Sequence, residues 1–200
     1  MNSLPHITTI ILVGGRGRRM EGKDKASLIT TNRGEKETFL ERLLSELRQL
    51  ENHPIVLSMR PGQKHPAKGY PVVFDQYPNT GPMGALLSCM EAQKTDWFFL
   101  LACDVPCFKA EIFERLYGLI TCYPEARAII PIAANRRQTT VALYHRTLKA
   151  DLAKSIQLQQ YSFNKMLDHL GDAQVLFWNA PKEQERFFLN INRPEDLELL

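Results

Sequence analysis

The stretch Thr9-Ile10-Ile11-Leu12-Val13-Gly14-Gly15-Arg16-Gly17-Arg18-Arg19-Met20, followed closely by Asp24-Lys25, decides how this chain is read. Its first five residues are apolar or β-branched, as in a buried strand. Three glycines follow. Lacking Cβ, they can take positive φ and let successive backbone N–H groups converge on an anion. Arg16, Arg18, Arg19 and Lys25 add positive charge to the same stretch. Glycine and arginine alone would suit a basic surface loop as well. The order of strand, paired glycines, basic stretch and Asp-Lys points instead to a loop that grips a triphosphate. It is not a Walker A loop, because no Gly-Lys-Ser/Thr closes it. Met20 stands where a dinucleotide fingerprint needs its third glycine, so a dinucleotide cofactor is not expected.

The 200 residues suit one domain spanning 1–200, with enough chain for one core. A composition of 44% hydrophobic and 24% charged residues is that of an ordinary globular protein. The net charge of +3 is too small to argue for nucleic acid. Seven of the first 36 residues are basic, a local excess suited to a phosphorylated small molecule. No aromatic platform accompanies them, so no nucleic-acid partner is expected. The longest apolar run, Trp97 to Cys103, is too short for a membrane span. The N-terminus lacks the basic start and cleavage site of a signal peptide, so a cytoplasmic location is expected. Cys89, Cys103, Cys107 and Cys122 show no zinc spacing and read as reduced thiols.

Apolar runs predict strands over Thr8–Val13, Pro54–Ser58, Pro71–Phe74, Trp97–Ala102, Ala128–Ile132, Thr139–Tyr144 and Ala173–Phe177. Helical spacing predicts helices over Phe39–Leu47 after the capping residue Thr38, from Gly84 to about Lys94, around Ile112–Ile120, and over Phe163–Leu170 before Gly171. A strand-like run from Phe187 leads into a closing helix after Pro194. Alternation of strand and helix in the first half argues for a parallel sheet covered on both faces. The segment Ala133-Ala134-Asn135-Arg136-Arg137-Gln138 looks like a hairpin and adds an antiparallel portion. The fold class is therefore α/β: a three-layer, Rossmann-like, mostly parallel sheet with one mixed portion and helices on both faces.

In such sheets ligands bind outside the carboxyl ends of the strands. Asp104 closes the apolar run Trp97–Ala102 and precedes Val105-Pro106. A carboxylate there is costly to desolvate unless it is paired or holds a cation, and Mg²⁺ needs only one or two carboxylates beside water and phosphate oxygens. The alternative is that Asp104 caps the following helix. Asp75 closes a second strand before the turn Gly81-Pro82-Met83-Gly84. Asn190 and Asn192 share one face of an extended segment and could contact a ligand or stitch backbone. The five histidines are scattered and read as structural or surface residues.

Taken together, these motifs resemble the molybdenum cofactor guanylyltransferase (MobA) family of the nucleotide-diphospho-sugar transferase-like fold. The resemblance rests on Leu12-Val13-Gly14-Gly15 through Arg19-Met20 to Asp24-Lys25, on Gly81–Ala85, on Cys103-Asp104-Val105-Pro106, and on Asn190 to Leu197. It runs in order through nearly the whole chain. The chain departs from the family pattern at Gly17, at Glu21, at Leu57, where an asparagine is usual, and at Arg193, where threonine usually caps.

The resemblance implies transfer of GMP from GTP to molybdopterin with release of pyrophosphate, dependent on Mg²⁺. It implies that Leu12, Val13 and Gly14 lie against guanine through their backbone, with Gly15 beside them in the nucleotide loop. Lys25 and Arg19 would hold the phosphates, Asp75 would contact the nucleoside, and Asp104 would bind both nucleotide and metal. Asn190 and Asn192 would stand on the acceptor side. Transient contact with other cofactor-biosynthesis or molybdoenzyme-maturation proteins is also implied. Two other readings stay open: a nucleotidyltransferase of the same fold using CTP or UTP with another phosphorylated acceptor, and a GTP-binding relative without turnover.

Overall fold

In the computed structural model, strand β1 (Ile7–Leu12) is the pivot of the sheet. The structure describes residues 5–13, 28–32, 35–50, 53–64 and 67–199. β1 pairs in parallel with β4 (Ile55–Met59) on one side and with β6 (Trp97–Ala102) on the other. The register sets Leu12 opposite both Ser58 and Ala102, so three carboxyl ends come together. β5 (Val72–Phe74) continues in parallel beyond β4. Beyond β6, β9 (Val141–His145) runs antiparallel to it, and β7 (Ala128–Ala133) runs antiparallel to β9. β10 (Val175–Asn179) closes that edge parallel to β7. The two-residue β8 (Arg136–Arg137) folds back on β7 through Ala134 and Asn135, both at positive φ. That conformation fits the type I′ turn whose twist matches a hairpin. The mixed, mostly parallel sheet expected from the strand pattern is the observed one.

Alternation along the strands divides the interior into two cores. Ile11, Leu57, Phe99, Leu101 and Leu143 pack on one side against α1 (Phe39–Leu47) and α3 (Ala110–Cys122). Ile10, Phe98, Leu100, Ile130 and Ala142 pack on the other against α2 (Pro82–Ala92), α4 (Lys149–Gln157) and α5 (Phe163–Leu170). Each strand thus feeds both faces, which is why their sequences read as continuous apolar runs.

Local signals account for the helix ends. The Thr38 hydroxyl accepts from the Glu41 N–H at 3.2 Å, and Glu41 Oε2 accepts from the Thr38 N–H at 2.8 Å. This reciprocal cap contributes about 1 kcal/mol. Ser162 caps α5, and Gly171 ends it at φ 76°. α3 has no side-chain cap of its own at Lys109. Glu46 of α1 supplies the acceptor instead, taking the Ala110 N–H at 3.3 Å and Lys109 Nζ at 2.6 Å. Asp104 is not the cap of this helix, whose cap position is Lys109.

Three features differ from the sequence reading. The hairpin of β2 (Ile29–Asn32) and β3 (Glu35–Thr38) and the helix α4 were not expected. The run from Phe187 is not a strand: a 3₁₀ helix spans Lys182–Phe188, and among the described residues no strand pairs with those after it. Phe187 and Phe188 are adjacent yet both pack into the core on the α1 and α3 side, whereas neighbours in a strand point to opposite faces. The closing helix after Pro194 is also 3₁₀, over Pro194–Leu199, and Asp196 Oδ2 accepts the N–H groups of Asn192 and Arg193 at 2.7 and 2.9 Å. Among the described residues, no helix is long and apolar enough to cross a membrane.

Candidate active site

A cavity of about 1100 Å³ opens where β1, β4 and β6 end. Leu12 lines it from β1, Ser58 and Met59 from β4, Arg60 and Pro61 from the turn beyond, and Ala102 to Asp104 from the end of β6. Asp75 and the turn to Pro82 form another part of the lining, and Thr140 and Asn190 complete it. This is where the strand order reverses. The chain leaves β1 for β4 on one side and, after β5 and α2, returns to β6 on the other. Such a switch point leaves a crevice between diverging connections.

Asp104 reaches the cavity directly after the parallel pairing of β1 and β6, which the Cys103 N–H prolongs by donating to the Leu12 carbonyl at 3.3 Å. The Asp104 carbonyl in turn accepts the Ile191 N–H at 2.8 Å. That bond brings the C-terminal segment, and with it Asn190, to the acid. Asn190 Nδ2 donates to the Phe188 carbonyl at 3.2 Å, which fixes the orientation of its amide.

Asp75 follows β5, with its N–H donating to the Met59 carbonyl at 2.8 Å. Its Oδ1 accepts the Tyr77 N–H at 2.9 Å and lies 3.5 Å from Ser88 Oγ. Burial raises the Asp75 carboxyl above its ordinary value, and these two hydrogen bonds only partly offset it. Beneath it, burial pushes the Cys89 thiol up to about 12, so this cysteine is an inert core residue. All four cysteines are free.

The turn before α2 is tightly built. Thr80 Oγ1 donates to the Tyr77 carbonyl at 2.6 Å, and Gly81 sits at φ 65° and ψ −149°, a region open essentially to glycine. Gly84 has no room for a side chain, since a Cβ there would lie 1.9 Å from Thr80 Oγ1 and 2.9 Å from the Tyr77 carbonyl oxygen. No acidic residue occupies the first turn of α2. Gly81, Pro82 and Ala85 line the cavity, so the positive end of this helix opens on it.

Leu12, Asp75, Asp104 and Asn190 therefore meet at one cavity. Val13 does not line it: its side chain is fully buried in the core. Asn192 does not line it either, and its N–H is committed to Asp196. Gly14, Gly15, Arg19 and Lys25 lie outside the described residues. Leu57 is fully buried on the α1 and α3 side, while the neighbouring Ser58 faces the cavity. Sequence reading missed Ser58, Arg60, Thr140 and Gln63; the only local signal near them is the turn pair Pro61-Gly62 between Arg60 and Gln63. His53 and His145 lie edge-on to aromatic rings of the core, and burial lowers both below their ordinary values.

The arrangement places carboxylates, a helix N-terminus and a strand mouth around a space large enough for a nucleotide. Residues 9–174 match the model of the MobA-like NTP transferase domain. The chain belongs to that family. This MobA-like protein is 30% identical over 201 residues to the probable molybdenum cofactor guanylyltransferase of Halalkalibacterium halodurans, covering 98% of each chain. It is 24% identical to the molybdenum cofactor guanylyltransferase of Shewanella loihica, over 98% of this chain and 96% of that one. Its fold is that of the molybdopterin-guanine dinucleotide biosynthesis protein A from Archaeoglobus fulgidus, with a TM-score of 0.74 at 20% identity, covering 96% and 95% of the two chains. The 2-C-methyl-D-erythritol 4-phosphate cytidylyltransferase of Thermus thermophilus shares the fold, with a TM-score of 0.68 at 14% identity over 95% of each chain. The MobA-like chain is a nucleotidyltransferase of the nucleotide-diphospho-sugar transferase-like fold.

Proposed function

We propose that this nucleotidyltransferase moves GMP from GTP onto the terminal phosphate of molybdopterin and releases pyrophosphate. The observation that carries the reading is the convergence of Leu12, Asp75, Asp104 and Asn190 on one cavity at the switch point of the sheet. The names of the relatives at 30% and 24% identity support the guanylyl branch over the cytidylyl one. The cavity, at about 1100 Å³, is large enough for a nucleotide.

In this reading the guanine lies against the backbone at Leu12 to Gly14, and the ionised Asp75 accepts hydrogen bonds from the nucleoside. Gly14, Gly15, Arg19 and Lys25 hold the β- and γ-phosphates and neutralise the charge that grows on departing pyrophosphate. A phosphate oxygen of the acceptor forms the new bond to the α-phosphorus. The bond to the β-phosphate bridging oxygen breaks, and pyrophosphate takes that electron pair. No general base is needed, because a phosphate monoester is already anionic at neutral pH. Asn190 orients the acceptor.

A divalent cation fits the donor set. Asp104 and Asn190 line the same cavity and offer a carboxylate and an amide oxygen. That is the sparse protein contribution Mg²⁺ uses when phosphate oxygens and water fill its shell. When bound by Asp104, such an ion supplies charge neutralisation at the α-phosphate. A cytoplasmic enzyme of one domain, with transient contacts to other cofactor-maturation proteins, is the accompanying proposal.

The test is pyrophosphate release from each of GTP, CTP, UTP and ATP with Mg²⁺ and molybdopterin present. Release from GTP alone supports the proposal. Preferential release from CTP or UTP would assign the chain to another reaction of the same fold. Tight GTP binding without release would make it a non-catalytic relative.

A further inference from the structure

Val13 is the last described residue before the glycine–arginine stretch, and the segment around β4 holds its peptide groups from both sides. Its N–H donates to the Ser58 carbonyl at 3.0 Å, prolonging the β1–β4 pairing. Its carbonyl accepts from Gln63 Nε2 at 2.9 Å, from a residue 50 positions away in sequence. The other end of the same amide, Gln63 Oε1, accepts the Arg60 N–H at 3.3 Å. Arg60 lines the cavity, and Gln63 does not.

The backbone explains how Gln63 arrives there. Pro61 fixes its own φ, Gly62 sits at φ 78°, and the Gln63 N–H returns to the Arg60 carbonyl at 3.2 Å. Proline followed by a glycine at positive φ, closed by that bond, is a type II turn. The turn reverses the chain beyond β4 and sends the Gln63 side chain back to β1. One side chain thereby ties the mouth of β1 to a residue of the lining just beyond β4.

We infer that Gln63 is a positioning residue for nucleotide binding: its amide holds Val13, the residue that follows the cavity-lining Leu12, and joins it to Arg60. The inference rests on the nucleotide-binding reading above but not on which base is bound. A carboxamide is needed at this position, because donation to Val13 and acceptance from Arg60 must come from one side chain. Glutamate keeps the acceptor but turns a second oxygen toward the Val13 carbonyl. Methionine keeps the length and loses both bonds.

The experiment measures Kd, KM and kcat for GTP, CTP, UTP and ATP with wild type, Gln63→Glu and Gln63→Met, together with amide hydrogen exchange. For whichever nucleotide the wild type prefers, both variants should raise Kd and KM about tenfold, the size expected from one lost hydrogen bond at a half-buried carbonyl. kcat should change by no more than about twofold, since the lost contact serves ground and transition states alike. Exchange should accelerate at Val13 and stay unchanged through β6. Unchanged Kd and KM in folded variants would overturn the inference. So would a fall in kcat with faster exchange across the whole sheet, which marks a purely structural staple. A wild type that prefers CTP would defeat the guanine reading while leaving Gln63 to be judged on CTP. A wild type that binds no nucleoside triphosphate would defeat both.

Discussion

The backbone N–H of Ile191 donates to the carbonyl of Asp104 at 2.8 Å, joining the C-terminal segment to the acid at the end of β6. Ile191 itself is fully buried. The bond therefore sets Asn190 beside Asp104 without relying on a flexible surface contact. It also explains why motifs almost ninety residues apart in sequence belong to one site.

Asn190→Ala removes an amide whose Nδ2 is already held by the Phe188 carbonyl, leaving the packing of Ile191 in place. Turnover should fall by roughly 10- to 100-fold, as for loss of one orienting group at a phosphoryl-transfer site, with nucleotide Kd changed much less. Steady-state kinetics beside nucleotide titration would check this. Equal losses in both would place Asn190 on the nucleotide instead of the acceptor.

Asp104→Asn keeps the shape of the side chain and removes its charge. The prediction is loss of Mg²⁺-dependent turnover by at least about a thousandfold in a variant that still folds. Pyrophosphate release across a Mg²⁺ titration is the measurement. Retained activity would remove the metal role.

Gly84→Ala should be among the most damaging small substitutions outside the cores. Its Cβ would stand 1.9 Å from Thr80 Oγ1 and 2.9 Å from Tyr77 Cβ, so the turn before α2 must move. Overpacking of this kind costs about 1–3 kcal/mol. Urea unfolding should show that loss, and KM for the nucleotide should rise because the displaced turn lines the cavity.

Asp75 gives a pH dependence opposite in sign to that of a salt-bridged aspartate. Burial raises its folded pKa above the ordinary 3.8, so the folded state favours the protonated carboxyl. The ionised form therefore costs stability at neutral pH, and the cost disappears as pH falls through the raised value toward 3.8. Asp75→Asn should accordingly gain stability over wild type at pH 7 and keep little of that gain at pH 3. Nucleotide binding should move the other way, weakening in wild type as the acid protonates. Paired unfolding and binding curves from pH 3 to 7 would check both signs.

Much of this architecture is legible in the sequence because local and long-range preferences agree. Trp97–Ala102 is apolar at every position and is a strand with those bounds, since a central strand of a sheet covered by helices is buried on both faces. Thr38 with Glu41 announces the start of α1. The hairpin of β2 and β3 carries no such signal. Thr30, Thr31, Asn32, Glu35, Lys36 and Glu37 show no apolar alternation. α4 is hard to see because Leu152 is its only fully buried residue. The doublet Phe187-Phe188 misleads, since two adjacent apolar residues suit a strand buried on both faces as well as a 3₁₀ turn. In the site, motif order identifies Asp75, Asp104 and Asn190. Ser58 and Thr140 come only from the register of β1, β4, β6 and β9, which no single stretch encodes, and Gln63 from a turn beyond β4 whose target on β1 is 50 residues away.

The central claim is that a nucleoside triphosphate and a divalent cation share the cavity bounded by Leu12, Asp75 and Asp104. A crystal structure of the chain soaked with GTP and Mg²⁺ tests it most directly. The account predicts the guanine against the backbone of Leu12, the nucleoside within hydrogen-bonding distance of Asp75, and the ion on an Asp104 oxygen. Density for the nucleotide elsewhere on the molecule, or an ion bound without Asp104, would contradict it.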